Sequence, residues 1–163
     1  MRAREDFLQE LQPSWVASVC RLWLPEGILG LYVSYNWGQL DERNQTARLL
    51  VLETNRLCGI KLSAVISSAS AWENVEIEIA SIHLTSVTEV GYSLKIYAGE
   101  APEYPTREFQ GWLALRDGLL DFQNPVVLPL DQSDYRGNWR AQGREFLQAV
   151  EAIFPPAYPL DGR

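Results

Sequence analysis

Both ends of the chain carry apolar residues at helical spacing. Near the start these residues form two groups: Phe7, Leu8 and Leu11, then Trp15, Val16, Val19, Cys20 and Trp23. They predict a helical segment over residues 3–23 whose apolar side chains, including the tryptophans, pack in the core. Pro13 divides or kinks this segment because proline removes a helix hydrogen bond, and a Leu-Pro-Glu-Gly stop follows at residues 24–27. The same spacing recurs near the other end and predicts a C-terminal helix over residues 136–154.

Between these helices, residues 28–128 mostly follow the period-two alternation of β-strands. The clearest alternating sets are Leu29, Leu31, Val33, Tyr35 and Trp37; Cys58, Ile60, Leu62, Ala64 and Ile66; and Tyr92, Leu94, Ile96 and Ala98. Residues 49–52 are apolar on both faces, which is typical of a central buried strand, and residues 54–56 fit a hairpin turn. Residues 126–128 predict a short edge strand bounded by prolines.

The order of these elements predicts an α+β fold. Short turns between consecutive strands exclude parallel pairing, since parallel crossovers need a dozen or more residues. We therefore expect an antiparallel, strongly curved or barrel-like sheet of about seven to eight strands with the N-terminal and C-terminal helices packed on it. The chain has 163 residues, 47% of them hydrophobic, and shows neither an internal repeat nor a linker. We expect residues 1–163 to form a single domain with a core that needs no disulfide.

Residues 107–123 fit two local structures. Asp117-Gly118 between two apolar runs is a typical two-residue hairpin signal. A helical face is also present: Trp112, Leu115, Leu119 and Phe122. The hairpin is favoured, because a glycine inside a helix costs about 1 kcal/mol.

A change of phase marks the segment around residue 80. Apolar residues occupy odd positions first and even positions afterwards: Val75, Ile77 and Ile79, then Ile82 and Leu84. One extra residue would produce this slip, so we predict a bulge or a break near Ala80-Ser81. With the slip, His83 faces solvent; without it, His83 points with Ile79 toward the core.

The charge balance excludes some partners. The chain has 14 Lys+Arg against 21 Asp+Glu, a net charge of −7, which argues against nucleic acid and anionic membranes as partners, because both require a basic surface. The first residues are charged rather than apolar, no apolar stretch approaches the ~20 residues that span a bilayer, and Cys20 and Cys58 are isolated. We therefore expect a cytoplasmic protein with reduced core thiols.

The sequence is poor in reactive chemistry. It has one histidine, two cysteines and no Cys-x-x-Cys, His-Glu-x-x-His or glycine-rich phosphate motif, so we predict no enzyme activity, no cofactor and no metal site. Glu76 and Glu78 lie two apart on a strand, a separation that also suits an acid–base pair. An enzyme built on them and on His83 requires the three side chains to converge in a cleft.

Aromatic residues carry the remaining signal, because tyrosine and tryptophan outside a core are typical anchors of interfaces. The candidate binding residues are Tyr32, Tyr35, Trp37, Glu76, Glu78, Tyr92 and Tyr97. The first hypothesis is a non-enzymatic protein-interaction module, of the adaptor, chaperone or immunity type, that holds a protein partner on an aromatic and acidic surface. The second is a carrier that encloses a small apolar ligand in a cavity of the curved sheet.

Overall fold

The computed structural model describes residues 2–9, 11, 14–36, 44–68, 71–97, 106–130 and 138–153. Helices α1, α2 and α3 span Arg4–Leu8, Ser14–Trp23 and Asn138–Ile153. The first strands are β1 (Arg2–Ala3), β2 (Gly27–Ile28), β3 (Gly30–Asn36), β4 (Asn44–Leu52) and β5 (Arg56–Ser68). They are followed by β6 (Ala71–His83), β7 (Val87–Tyr97), β8 (Thr106–Leu115) and β9 (Val126–Pro129). A 3-10 turn, Leu84–Ser86, joins β6 to β7.

The strands form three antiparallel sheets, in the orders β1-β2, β3-β4-β5-β6 and β7-β8-β9. The α+β class, rich in antiparallel sheet, is therefore confirmed, whereas the single strongly curved or barrel-like sheet is wrong. The chain leaves the four-stranded sheet at His83, and the 3-10 turn carries it into the next sheet. Period-two alternation is the same in one curved sheet and in two open sheets, so the sequence pattern could not show where one sheet ends.

Both faces of the four-stranded sheet are covered. One face packs against α1, α2 and Leu11, which lies between them; the helix residues involved include Phe7, Trp15, Val16, Val19 and Cys20. The opposite face packs against the three-stranded sheet and α3 through Leu113, Leu115, Leu128, Phe146, Leu147 and Val150. In β4, Leu49 and Val51 face the helices while Leu50 and Leu52 face the other side, which confirms that residues 49–52 form a central buried strand.

The predicted bulge at Ala80-Ser81 is wrong. The pairing of β6 with β5 is regular from Asn74 to His83, and its register shifts lie instead at Val65/Ile66 and Ile66/Ser68. The apolar phase changes for another reason: Val75 and Ile77 pack on the helix side, whereas Ala80 and Ile82 pack on the opposite side. The strand is continuous. Its first half is covered mainly on the helix side and its second half mainly on the opposite side.

The segment after β8 forms a longer turn than predicted. Thr106–Leu115 is a strand, so the helical alternative is excluded, but the return strand begins at Val126 rather than at Leu119. Asn124 closes the turn: its Oδ1 accepts the Leu115 N–H at 3.0 Å and its Nδ2 donates to the Leu115 carbonyl. Val126–Pro129 is the last strand of its sheet, which confirms the predicted edge strand.

The helices follow the sequence pattern closely. The N-terminal segment is divided into α1 and α2, as the proline predicted, although Pro13 itself lies outside the described residues. The hairpin at residues 53–55 joins β4 to β5, and α3 covers most of the predicted C-terminal helix. Among the described residues, no helix combines the length and the apolar character that crossing a membrane requires.

Candidate functional site

A surface cleft of about 210 Å³ lies where the end of α2 approaches the neighbouring strands β4, β5 and β6. Its lining residues are Trp23, Leu24, Pro25, Val51, Glu53, Arg56, Cys58, Ile60, Ile79 and Ser81. The cleft exists because α2 ends at Trp23, so the helix layer stops before it covers this corner of the sheet. We refer to it as the α2 cleft.

Large apolar side chains around the α2 cleft are exposed. Trp23 is 55% exposed and Ile79 is 48% exposed, and Leu22, the residue before Trp23 on α2, is 74% exposed. Val51, Cys58 and Ile60 are buried beneath them. Apolar surface of this kind is stabilised by about 25 cal/mol for each Å² removed from water, so the rim of the cleft is suited to an apolar group of a binding partner.

The polar groups of the α2 cleft pair with one another. Arg56 Nη2 donates to Glu53 Oε1 at 3.2 Å, and Arg56 Nε donates to Glu53 Oε2. Arg56 Nη1 lies 3.4 Å from Ser81 Oγ, which lies 3.6 Å from Cys58 Sγ. The hydrogen bond that Arg56 donates to the Glu53 carboxylate raises the pKa of Arg56. Because the Arg56–Glu53 ion pair carries no net charge, the remaining character of the cleft lining is set mainly by its apolar side chains.

The acidic candidates Glu76 and Glu78 lie on β6, on the opposite face of the strand from Ile77 and Ile79. Both are exposed. Lys61 on β5 lies between two carboxylates: its Nζ is 3.6 Å from Glu78 Oε2 and 2.9 Å from Asp121 Oδ2. The hydrogen bond with Asp121 raises the pKa of Lys61 and lowers that of Asp121. β6, the terminal strand of the four-stranded sheet, therefore presents an apolar face on one side and an acidic face on the other.

The aromatic candidates do not form one surface. Tyr32 is only 6% exposed and its ring lies 6.4 Å from that of Phe146, so it is a core residue and not a surface anchor. Burial raises its pKa to about 12. Tyr92 is half-buried and stacks on Phe109 with the ring centroids 5.9 Å apart.

The remaining aromatic candidates cannot be placed in the site. Tyr35 lies on β3 and Tyr97 lies on β7, but their side chains are outside the described part of the chain. Trp37 lies outside the described residues altogether. None of the tyrosines whose side chains are described lines the α2 cleft.

His83 faces solvent although β6 has no bulge, so the expectation that it would point toward the core without a slip is wrong: it shares the face of Ile79, and that face is exposed at this end of the strand. Its Nδ1 lies 2.9 Å from Thr85 Oγ1 and accepts the Thr85 N–H at 3.3 Å, so it caps the 3-10 turn. Strand alternation places Glu76 and Glu78 on the other face of β6. The structure thus does not bring these three groups together in a cleft.

Sequence reasoning missed the two residues that define the site. Trp23 was expected in the core because it continues the helical spacing of Trp15 and Val19, yet it is half-exposed at the last position of α2. Its place directly before a Leu-Pro stop was the available signal. Ile79 gave no local signal, since its exposure depends on where the distant helix ends.

Family models, curated proteins and solved structures were each compared with the chain, and none of the three comparisons gave a match. Its function therefore has to be inferred from its own residues. Among the described residues, the α2 cleft with its exposed tryptophan is the feature from which a function can be argued.

Proposed function

We propose that this protein is a non-enzymatic protein-interaction module that holds a protein partner over the α2 cleft. The observation that carries the proposal is the exposure of Trp23 and Ile79, two large apolar side chains that line one concave surface. Tryptophan is among the residues most enriched at the centres of protein interfaces, where truncation of one anchor commonly costs 2 kcal/mol or more, or about thirtyfold in affinity. Trp23 is the proposed anchor.

The charge of the protein favours a basic partner. The net charge is −7, and Glu76 and Glu78 are exposed on the strand that borders the cleft. Opposite charge steers a partner toward an interface and penalises the wrong orientation. A partner that presents an apolar side chain to the cleft and basic side chains beside it would match both features.

The carrier hypothesis has less support. It requires a cavity inside one curved sheet, whereas the sheets are separate and open. The α2 cleft, at about 210 Å³, is also smaller than the roughly 300–1,000 Å³ of typical small-molecule sites. It matches the size of a single side chain of a partner better than that of a complete ligand.

The test compares two truncations of exposed apolar side chains. Trp23→Ala removes the proposed anchor. Val127→Ala removes an exposed apolar side chain on β9, in the three-stranded sheet and outside the α2 cleft. Each protein is used to capture partners from a lysate of its source cell, and the recovered partner is then purified and titrated calorimetrically. We expect wild type and Val127→Ala to bind one protein stoichiometrically, and Trp23→Ala to bind it about tenfold or more weakly. Recovery of no stoichiometric partner, or equal loss in both variants, would overturn the proposal.

A further inference from the structure

We propose that the partner adds an extended segment to the free edge of β6, as an additional strand whose side chains alternate between apolar and basic. This inference rests on the proposed function, since it specifies how the same surface holds its partner. In this arrangement β6 is the strand that is extended, and its own exposed side chains contact the alternating residues of the added segment.

The first support is the edge itself. β6 is 13 residues long and is the terminal strand of its sheet. It pairs with β5 on one side, and among the described residues no strand pairs with its other side. Its register is regular from Asn74 to His83, so the outward N–H and C=O groups recur at even spacing. A long regular edge of this kind is a template for a further strand.

The second support is the position of the α2 cleft at this edge. Ile79 and Ser81 belong to β6 and also line the cleft. A residue placed opposite Ile79 on an added strand would point to the same face as Ile79, with the two Cβ atoms about 4.5–5.5 Å apart. Alternate side chains of the segment would therefore lie beside Ile79 and Trp23, where apolar surface is exposed.

The third support is the charge on the other face. Glu76 and Glu78 alternate with Ile77 and Ile79 along β6 and are exposed. The intervening side chains of an added strand would lie beside these carboxylates, where basic residues give favourable cross-strand pairs. The edge thus matches a segment in which basic and apolar residues alternate.

The same carboxylates argue against a second copy of the chain as the occupant. Two β6 strands aligned antiparallel around Ile77 would place Glu76 of each copy opposite Glu78 of the other. Like charges directly opposite are destabilising, and charged residues on an edge strand are a common device against self-association. The acidic face therefore selects a different, basic chain over self-pairing.

The experiment uses capped eight-residue peptides as probes. The test peptide alternates Lys and Val, and its control has the same composition with four Lys followed by four Val. Binding to the full chain is measured by calorimetry, and exchange of the β6 amides is followed by NMR. We expect the alternating peptide to bind about tenfold or more tightly than the control, and to slow the exchange of every second amide between residues 75 and 81.

Two modifications separate strand addition from simple charge attraction. N-methylation of every second peptide amide gives two peptides of equal charge, of which only the one whose methyl groups face β6 should lose binding. The variant Glu76→Lys should weaken the Lys/Val peptide about threefold or more and strengthen a Glu/Val peptide. Equal binding of both methylated peptides, or unchanged exchange at β6, would overturn the inference.

The outcome also distinguishes this inference from the proposed function. If the captured partner depends on Trp23 but leaves the exchange of the β6 amides unchanged, the interaction module stands and strand addition fails. If the peptides bind and protect β6 while no cellular partner depends on Trp23, the edge can pair but the proposed function fails.

Discussion

Leu119 lies directly against Gly59, so that a Cβ at position 59 would stand 2.6 Å from Leu119 Cγ. Leu119 belongs to the long turn after β8 and is buried, while Gly59 lies on the central strand β5. The absence of a side chain at residue 59 is thus what allows the turn to insert an apolar group against the four-stranded sheet.

Gly59→Ala should therefore destabilise the protein by about 1–3 kcal/mol, because it overpacks a buried contact. The matched control is Gly118→Ala in the same turn, where an added Cβ meets nothing within 4 Å; a change within about 1 kcal/mol is expected there. Urea unfolding of the two variants and wild type measures the difference. Equal stability of both variants would contradict the packing described.

The two tryptophans of α2 should respond very differently to truncation. Trp15 is 3% exposed and its Nε1 donates to Gln45 Oε1 at 2.7 Å, so Trp15→Ala should cost about 3–5 kcal/mol. Trp23→Ala should cost less, about 1–2 kcal/mol, since its side chain is 55% exposed. Denaturant unfolding provides both values, and a large loss at Trp23 would show that it is a core residue.

The two cysteines should differ in their rates of alkylation. Burial raises the pKa of the Cys20 thiol to about 12, so at pH 8 its reactive thiolate form is scarce. Cys58 lies in the wall of the α2 cleft. In the native protein, iodoacetamide should modify Cys58 before Cys20, as followed by peptide mass spectrometry. In urea the two rates should become equal; faster modification of native Cys20 would contradict this placement.

The ion pair of Lys61 with Asp121 should make a pH-dependent contribution to stability. The hydrogen bond and charge of Lys61 lower the pKa of Asp121 below its usual 3.8. A carboxyl whose pKa is lower in the folded state stabilises the protein fully above its unfolded pKa, and this contribution disappears as the pH falls through the folded pKa.

The measurement compares urea midpoints of wild type and Asp121→Asn between pH 7 and pH 2. Wild type should be the more stable protein at neutral pH, and the difference should shrink as the pH falls below about 3.8. Because both side chains are solvent-accessible, added salt should also reduce the difference at neutral pH. A difference that is independent of pH would mean that the pair does not form in solution.

Features set by neighbouring residues could be predicted from the sequence. The division of the N-terminal helix, the hairpin after Leu52 and the edge strand at Val126 all follow from proline positions and alternation within a few residues. The return strand after Leu115 was misplaced because the Asp117-Gly118 signal is local, whereas the burial of Leu119 against Gly59 is a tertiary contact.

The site could be predicted only in part, and for a related reason. The exposure of Glu76 and Glu78 follows from strand alternation, and the chain's acidity was evident. The exposure of Trp23 and Ile79, in contrast, depends on where α2 ends and stops covering the four-stranded sheet. Tyr32 shows the opposite case. The sequence pattern predicts a surface position for it, but its strand β3 is covered on both faces, and its ring packs near that of Phe146.

The two coverings of the central sheet come from distant parts of the polypeptide. Phe7 and Trp15 shield one side, while Phe146 and Val150 shield the other. As the chain emerges from the ribosome, strands β3 to β6 can acquire the helical covering at once, but Leu50, Leu52 and Leu57 are fully covered only after the three-stranded sheet and α3 have been made. A nascent or truncated chain without α3 therefore exposes part of an apolar sheet face. Intermediates with exposed apolar surface of this kind are bound by chaperones.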